Sequence, residues 1–251
     1  MVAEEENVWE AFARLASGLP GELVVAVAPW PDRGALVLGE DRPFHAWSTI
    51  KVPILVALLT LVHREALTPE HRELARLAIT ESDNSAILEL FVLLEGLAGG
   101  STGAAGVLER LFRLSNDDRT AVTLAPPPPG AITPFGQVGW RAADSVRFFA
   151  ALAGGRLLSA ADTRYVLDLM AQVIPEQRWG LGRLREPVAF KGGWGPEADG
   201  TCLVRQSGVV FRDGATAVSF VAVPPPGEES FDVGVGMVSQ AAEWIAGVIG
   251  V

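Results

Sequence analysis

Residues 46–63 read AWSTIKVPILVALLTLVH, an apolar run led in by a serine, Ser48, three places before a lysine, Lys51. The eleven residues 52–62 are about half of the roughly twenty that a membrane-crossing helix needs, so the run predicts a core helix over 49–65. Side chains three apart on a helix share a face, which sets the Ser48 hydroxyl beside the Lys51 amine. Pro53 falls early enough in that helix for its missing N–H to be tolerated.

Lysine is scarce elsewhere. The chain has 20 basic residues, and only Lys51 and Lys191 are lysines. Arginine stays charged, whereas a lysine amine loses its proton readily on burial and can act as a base. Lys191 opens Lys191-Gly192-Gly193-Trp194 after an apolar β-type run, and Ser82-Asp83-Asn84 lies between the two lysines. Each cluster has a plain reading beside a chemical one. Ser48 is either a helix N-cap or a nucleophile activated by Lys51. Ser82-Asp83-Asn84 is either the cap of an apolar helix or a hydroxyl and an amide facing a substrate. The two glycines after Lys191 make either a turn or a strand that another group approaches closely.

Composition narrows the function. Hydrophobic residues make up 49% of the 251, and mean hydropathy is +0.28, ample for a sizeable core. A net charge of −10 without basic stripes argues against nucleic acid and against an anionic membrane as partners. The N-terminus, Met1-Val2-Ala3-Glu4-Glu5-Glu6, is acidic where an export signal is basic, and Cys202 is a lone cysteine. The expected location is the cytoplasm. His45, His63 and His71 lack metal-ligand spacing, so neither a metal nor another cofactor is expected. No Gly-x-Ser-x-Gly elbow, phosphate loop or dinucleotide fingerprint occurs.

Hydrophobic periodicity predicts helices over 5–15, 69–80, 85–94, 104–114, 142–152, 160–173 and 233–249 as well. Strands are expected at 22–28, 35–38, 187–191, 201–211 and 215–223. Trp30-Pro31-Asp32-Arg33-Gly34 reads as a turn. Residues 115–139, with prolines at 126–129, read as one long loop. The expectation is an α+β fold: one antiparallel sheet flanked by the terminal helices, with an inserted all-helical lobe. The single domain would comprise an α/β lobe, 1–47 with 180–251, and a helical lobe, 48–179.

The three clusters in this order, spread over this plan, resemble the S-x-x-K, S-D-N and K-T-G motifs of class A β-lactamases and related penicillin-binding serine enzymes. The resemblance spans about residues 5–249. It implies Ser48 as the acylated nucleophile, Lys51 as its base and Ser82 as a proton relay. It also implies Lys191 as a positive charge near Ser82, and Asn84 as a donor to the substrate. The strand residues Gly193 and Trp194 would border the substrate, with the N–H groups of Ser48 and Trp194 as an oxyanion hole. Arg205, on the next strand, is either an aid to a substrate carboxylate or a plain surface arginine, and the expected partner is a small-molecule ester, amide or lactam.

Two departures stand out. Gly192 replaces the threonine whose hydroxyl helps to hold the carboxylate of β-lactams. No Glu-x-x-Leu-Asn pattern occurs in 115–140, where the acids are Asp117 and Asp118. Slow deacylation is therefore expected, and a protein that binds or is acylated without turnover is the alternative.

Overall fold

The computed structural model describes residues 2–29, 34–123 and 134–250. The predicted turn at 30–34 and the proline run at 126–129 fall largely or wholly outside them.

Five strands form one antiparallel sheet. They are β1 (Glu22–Ala28), β2 (Leu36–Leu38), β5 (Val188–Pro196), β6 (Cys202–Phe211) and β7 (Ala215–Val223), in the order β2-β1-β7-β6-β5. Two further strands, β3 (Phe44–His45) and β4 (Gly139–Trp140), pair with each other only. Alternation sorts the sheet residues into two cores, because successive side chains on a strand point to opposite faces. Val25, Val27, Phe190, Val204 and Phe220 face the terminal helices α1 (Val2–Ser17) and α8 (Ser230–Ile249), joining Phe12, Met237 and Ile245. Val24, Ala26, Leu203, Val209 and Val221 face the helices in the middle of the chain.

Those helices are α2 (Lys51–Leu61), α3 (Pro69–Arg76), α4 (Asn84–Ala98), α5 (Ser101–Leu114), α6 (Ala142–Ala153) and α7 (Ala160–Ala171). Every residue of α2 from Lys51 to Leu59 is buried, as expected of a helix apolar all round. Among the described residues no single helix is long and apolar enough to cross a membrane.

Several expected boundaries move. The helix expected over 49–65 ends at Leu61, where Val62 turns extended. The helix over 69–80 gives way after Arg76 to a π-helical turn, Leu77–Glu81. β5 does not stop at Lys191 but continues through both glycines to Pro196. Its partner supplies the reason: β6 remains in register from Val188↔Val210 to Pro196↔Cys202.

Candidate functional site

The three clusters meet where the start of α2, the start of α4 and the open edge of the sheet converge. Ser48 lies in a short 3-10 turn, Trp47–Ile50, that runs directly into α2. It is not an N-cap, because its side chain caps nothing and Ile50 precedes the helix. Ser48 is half-buried, and its Oγ makes no hydrogen bond with any described residue.

Lys51 is 1% exposed and lies one helical turn further on. Its amine donates to Asn84 Oδ1 at 2.7 Å, to Ser82 Oγ at 3.3 Å, to Asp83 O at 3.3 Å and to Ser82 O. Burial pulls this amine down to about 7 against the opposing charge of Asp83. Asp83 is the sole carboxylate whose charge registers there among the described residues.

Ser82 ends the π-helical turn in the left-handed region, φ 63°. Such single-turn π-helices mark functional sites often. Among the bonds that hold this turn are Asp83 N–H to Leu77 O at 3.2 Å, Ile174 N–H to Thr80 O at 3.0 Å and Gln177 Nε2 to Glu81 O at 3.0 Å. The cap of α4 is Asp83, whose Oδ1 accepts from Ala86 N–H at 2.7 Å. The Ser82 hydroxyl and the Asn84 amide are thereby left to the lysines.

Lys191 arrives from β5 with no solvent exposure. Its amine donates to Ser82 Oγ at 2.8 Å and to Gly192 O at 3.0 Å. Burial first, and then the positive charge of Lys51, hold it well below the usual lysine range. Both lysines of the chain therefore converge on one serine hydroxyl.

The edge strand supplies backbone donors. Antiparallel partners alternate between pairs that exchange backbone hydrogen bonds and pairs that exchange none. The β5–β6 hairpin is bonded at Phe211 N–H to Pro187 O and at Glu197 N–H to Thr201 O, and its register is continuous between. Lys191, Gly193 and Gly195 therefore bond to β6, and Trp194 turns its N–H to the open edge. A Cβ on Gly193 would stand 2.8 Å from Ser48 N and 2.9 Å from Thr49 N, so only glycine lets the strand approach this closely. Ser48 N–H has no backbone acceptor among the described residues.

No family model matches the sequence, and no curated protein does. Solved structures do. A β-lactamase from Chitinophaga pinensis superposes with a TM-score of 0.72 at 18% identity, over 96% of this chain and 99% of that one. A β-lactamase from Sphaerobacter thermophilus gives 0.72 at 15%, over 96% and 98%. A variant of PBP-A, solved as an acyl-enzyme complex with penicillin G, gives 0.68 at 20%, over 96% and 97%. The chain has the β-lactamase fold.

Within that fold, the face of β5 opposite the Lys191 side chain is aromatic. A Cβ on Gly192 would lie 2.8 Å from the Trp179 ring, so Trp179 occupies the space where a threonine side chain would stand. The Trp179 segment is fastened to β6: Gln206 Nε2 donates to Trp179 O at 2.8 Å, and Gln206 Oε1 accepts from Leu181 N–H at 2.7 Å. Sequence reasoning missed Trp179; its one trace is the absent threonine at 192.

Arg205 bonds to none of Ser48, Ser82, Asn84 and Lys191. It is fully buried, and its Nη1 donates to the carbonyls of Trp140, His45 and Phe44 at 3.0, 3.1 and 3.3 Å. It binds the β3–β4 pair to the sheet instead.

Glu197 was also missed. Its carboxylate meets His45 Nδ1 at 2.8 and 2.9 Å and accepts from Trp47 Nε1 at 3.2 Å. Trp47 has φ 45°, a region that a bulky residue occupies at a cost of about 1–3 kcal/mol. Glu197 and the close approach of Gly195 to the Trp47 ring, where a Cβ would stand 2.5 Å away, hold that conformation immediately before Ser48.

Proposed function

We propose that this chain is a serine hydrolase of the β-lactamase type that forms an acyl-serine intermediate on a small ester, amide or lactam. One observation carries the reading: Lys51, buried and held to about 7, lies one turn from Ser48 in a cluster with Ser82, Asn84 and Lys191. An amine with that pKa is half neutral near pH 7 and can take a proton. Ser48 Oγ attacks the substrate carbonyl carbon, and its proton passes to neutral Lys51. The oxyanion forms against the N–H groups of Ser48 and Trp194. As the bond to the leaving oxygen or nitrogen breaks, Ser82 Oγ delivers a proton to it and is reprotonated from the lysines. Water then cleaves the Ser48 ester and releases the acid.

A second reading, acylation without turnover, is supported by the acids of the 115–123 segment. Asp117 is buried, and its Oδ1 is taken by the N–H groups of Arg119 and Thr120. Asp118 is exposed. Neither registers at Lys51.

Intact-mass spectrometry tests both readings. The protein and its Ser48→Ala variant are mixed with a penicillin, a chromogenic cephalosporin and a 4-nitrophenyl ester. A Ser48-dependent adduct lost within about seconds supports the hydrolase, and one lasting hours the second reading. Labelling of folded Ser48→Ala would overturn both.

A further inference from the structure

We infer that Gln177 is a positioning residue for the Ser82 relay, and that its bond to Glu81 O lets the site act on leaving groups that need a proton. The inference rests on the acyl-serine reading above, in which Ser82 gives its proton to the departing oxygen or nitrogen and takes one back from the lysines. Ser82 keeps φ 63°, a left-handed conformation that a residue with a side chain holds only where its surroundings impose it. That angle relates the Ser82 Cα–Cβ bond to the plane of the Glu81–Ser82 peptide. Fixing the peptide therefore fixes where the hydroxyl points. Both ends of this peptide are bonded: Ser82 N–H donates to Leu77 O inside the π-helical turn, and Glu81 O accepts from Gln177 Nε2 at 3.0 Å. The second bond comes from outside the turn. Without it the peptide can rotate, and φ relaxes toward the common negative region.

Gln177 ends a short 3-10 turn, Pro175–Gln177, whose two flanks are fastened to different parts of the fold. Before it, Ile174 N–H bonds to Thr80 O at 3.0 Å. After it, Trp179 O and Leu181 N–H bond to the Gln206 amide at 2.8 and 2.7 Å, and Gly180 N–H to Ser239 Oγ at 3.2 Å. Gln206 lies opposite Gly192, the residue after Lys191. Residues 174–181 thus tie the turn that carries Ser82 to the sheet that carries Lys191. Lys191 Nζ then meets Ser82 Oγ at 2.8 Å. Gln177 Oε1 is buried without a partner among the described residues. An unpaired buried oxygen destabilises the fold, so this side chain contributes placement of the peptide rather than stability.

Two esters of one acid separate placement of the relay from general support of the site. The phenolate of 4-nitrophenyl butyrate leaves without a proton at neutral pH, whereas the alkoxide of benzyl butyrate needs one. Butyryl-Ser48 is followed by quenched intact mass, and released phenol or alcohol by chromatography, each corrected for spontaneous hydrolysis. Gln177→Met keeps the length of the side chain and removes the donor. It is expected to slow acylation by the benzyl ester about tenfold or more, and by the 4-nitrophenyl ester no more than about threefold. The melting temperature should stay unchanged or rise. Should Gln177→Met fail to fold, Gln177→Glu, of the same shape and without a donor at neutral pH, is expected to move the ratio of the two rates in the same direction. Equal slowing of both esters, or wild-type rates with both, would overturn this inference and leave the acyl-serine reading standing. A wild-type protein acylated by the 4-nitrophenyl ester but not by the benzyl ester would also overturn it, since no working relay is then there to be placed. No Ser48 adduct with either ester, nor with the β-lactams above, would overturn both.

Discussion

Lys191 Nζ donates to Ser82 Oγ at 2.8 Å, from a position with no solvent exposure. Lys51 reaches the same oxygen at 3.3 Å. A hydroxyl that accepts from two amines directs its own hydrogen away from both, and no described residue accepts it. That proton is aimed at the cleft. Ser82→Ala is therefore expected to slow acylation of Ser48 by about a hundredfold or more. It should also lower stability by about 1–3 kcal/mol, because two buried amines lose an acceptor. Lys191→Met should slow acylation as well, yet leave the melting temperature unchanged or higher, since a desolvated amine is replaced by an apolar side chain of similar volume. Adduct-formation rates and thermal melts of the two variants separate relay from scaffold; Lys191→Met with wild-type acylation would remove Lys191 from the site.

The pH dependence follows from Lys51. Its folded pKa is about 7, depressed from the ordinary 10.5, so the neutral form grows as pH rises through 7. Acylation should rise with pH to a plateau, with a midpoint near 7 and about a tenfold loss per unit on the acid side. Stability moves in the same direction between about 7 and 10.5, because there the unfolded chain binds the proton that folded Lys51 has lost. Lys51→Arg is expected to abolish acylation at every pH, since a guanidinium does not deprotonate. A rate profile flat from pH 5 to 8 would exclude Lys51 as the base.

Close approach at Gly193 sets a different expectation. A Cβ there meets two backbone nitrogens, Ser48 N and Thr49 N, and backbone cannot swing aside as a side chain can. Gly193→Ala should push the Ser48 turn off the edge strand and separate the two oxyanion donors. A displacement on the order of 1 Å can cost about a hundredfold in rate. Acylation kinetics and a thermal melt of the variant check this; wild-type rates would show that the strand does not position Ser48.

Much of this arrangement was legible in the sequence, and the rest failed for physical reasons. β1 and β7 were bounded correctly because continuous Val/Ala-rich runs with polar or glycine ends admit few other readings. Lys51 and Lys191 announced themselves by scarcity. β5 was cut short because Gly192, Gly193, Gly195 and Pro196 read locally as a turn; only pairing with β6 makes them a strand. β3 and β4, two residues each, are too short to show any period. Arg205 was misplaced because spacing along a strand gives a side chain's face but not what covers that face. Trp179 and Glu197 act on residues 13 and 150 positions away, respectively, which no local pattern encodes.

Glu197 is a positioning residue for the nucleophile turn. It binds His45 and Trp47 on the chain leading into Ser48, and it raises the His45 pKa above 6.5, with burial and the charge of Arg205 opposing. A raised histidine pKa gives stability that is complete below 6.5 and is lost as pH climbs through the folded value. Glu197→Gln removes the charge while keeping an acceptor for Trp47 Nε1. The His45 pKa, read from its ring protons by NMR titration, should fall in this variant. Acylation should slow about tenfold, because Trp47 at φ 45° loses part of what holds it beside Ser48. The rising limb set by Lys51 should keep its midpoint near 7, since Glu197 does not register there. An unchanged His45 pKa would show that the pair does not form in solution. A shifted Lys51 midpoint would show instead that Glu197 acts on the base rather than on the turn.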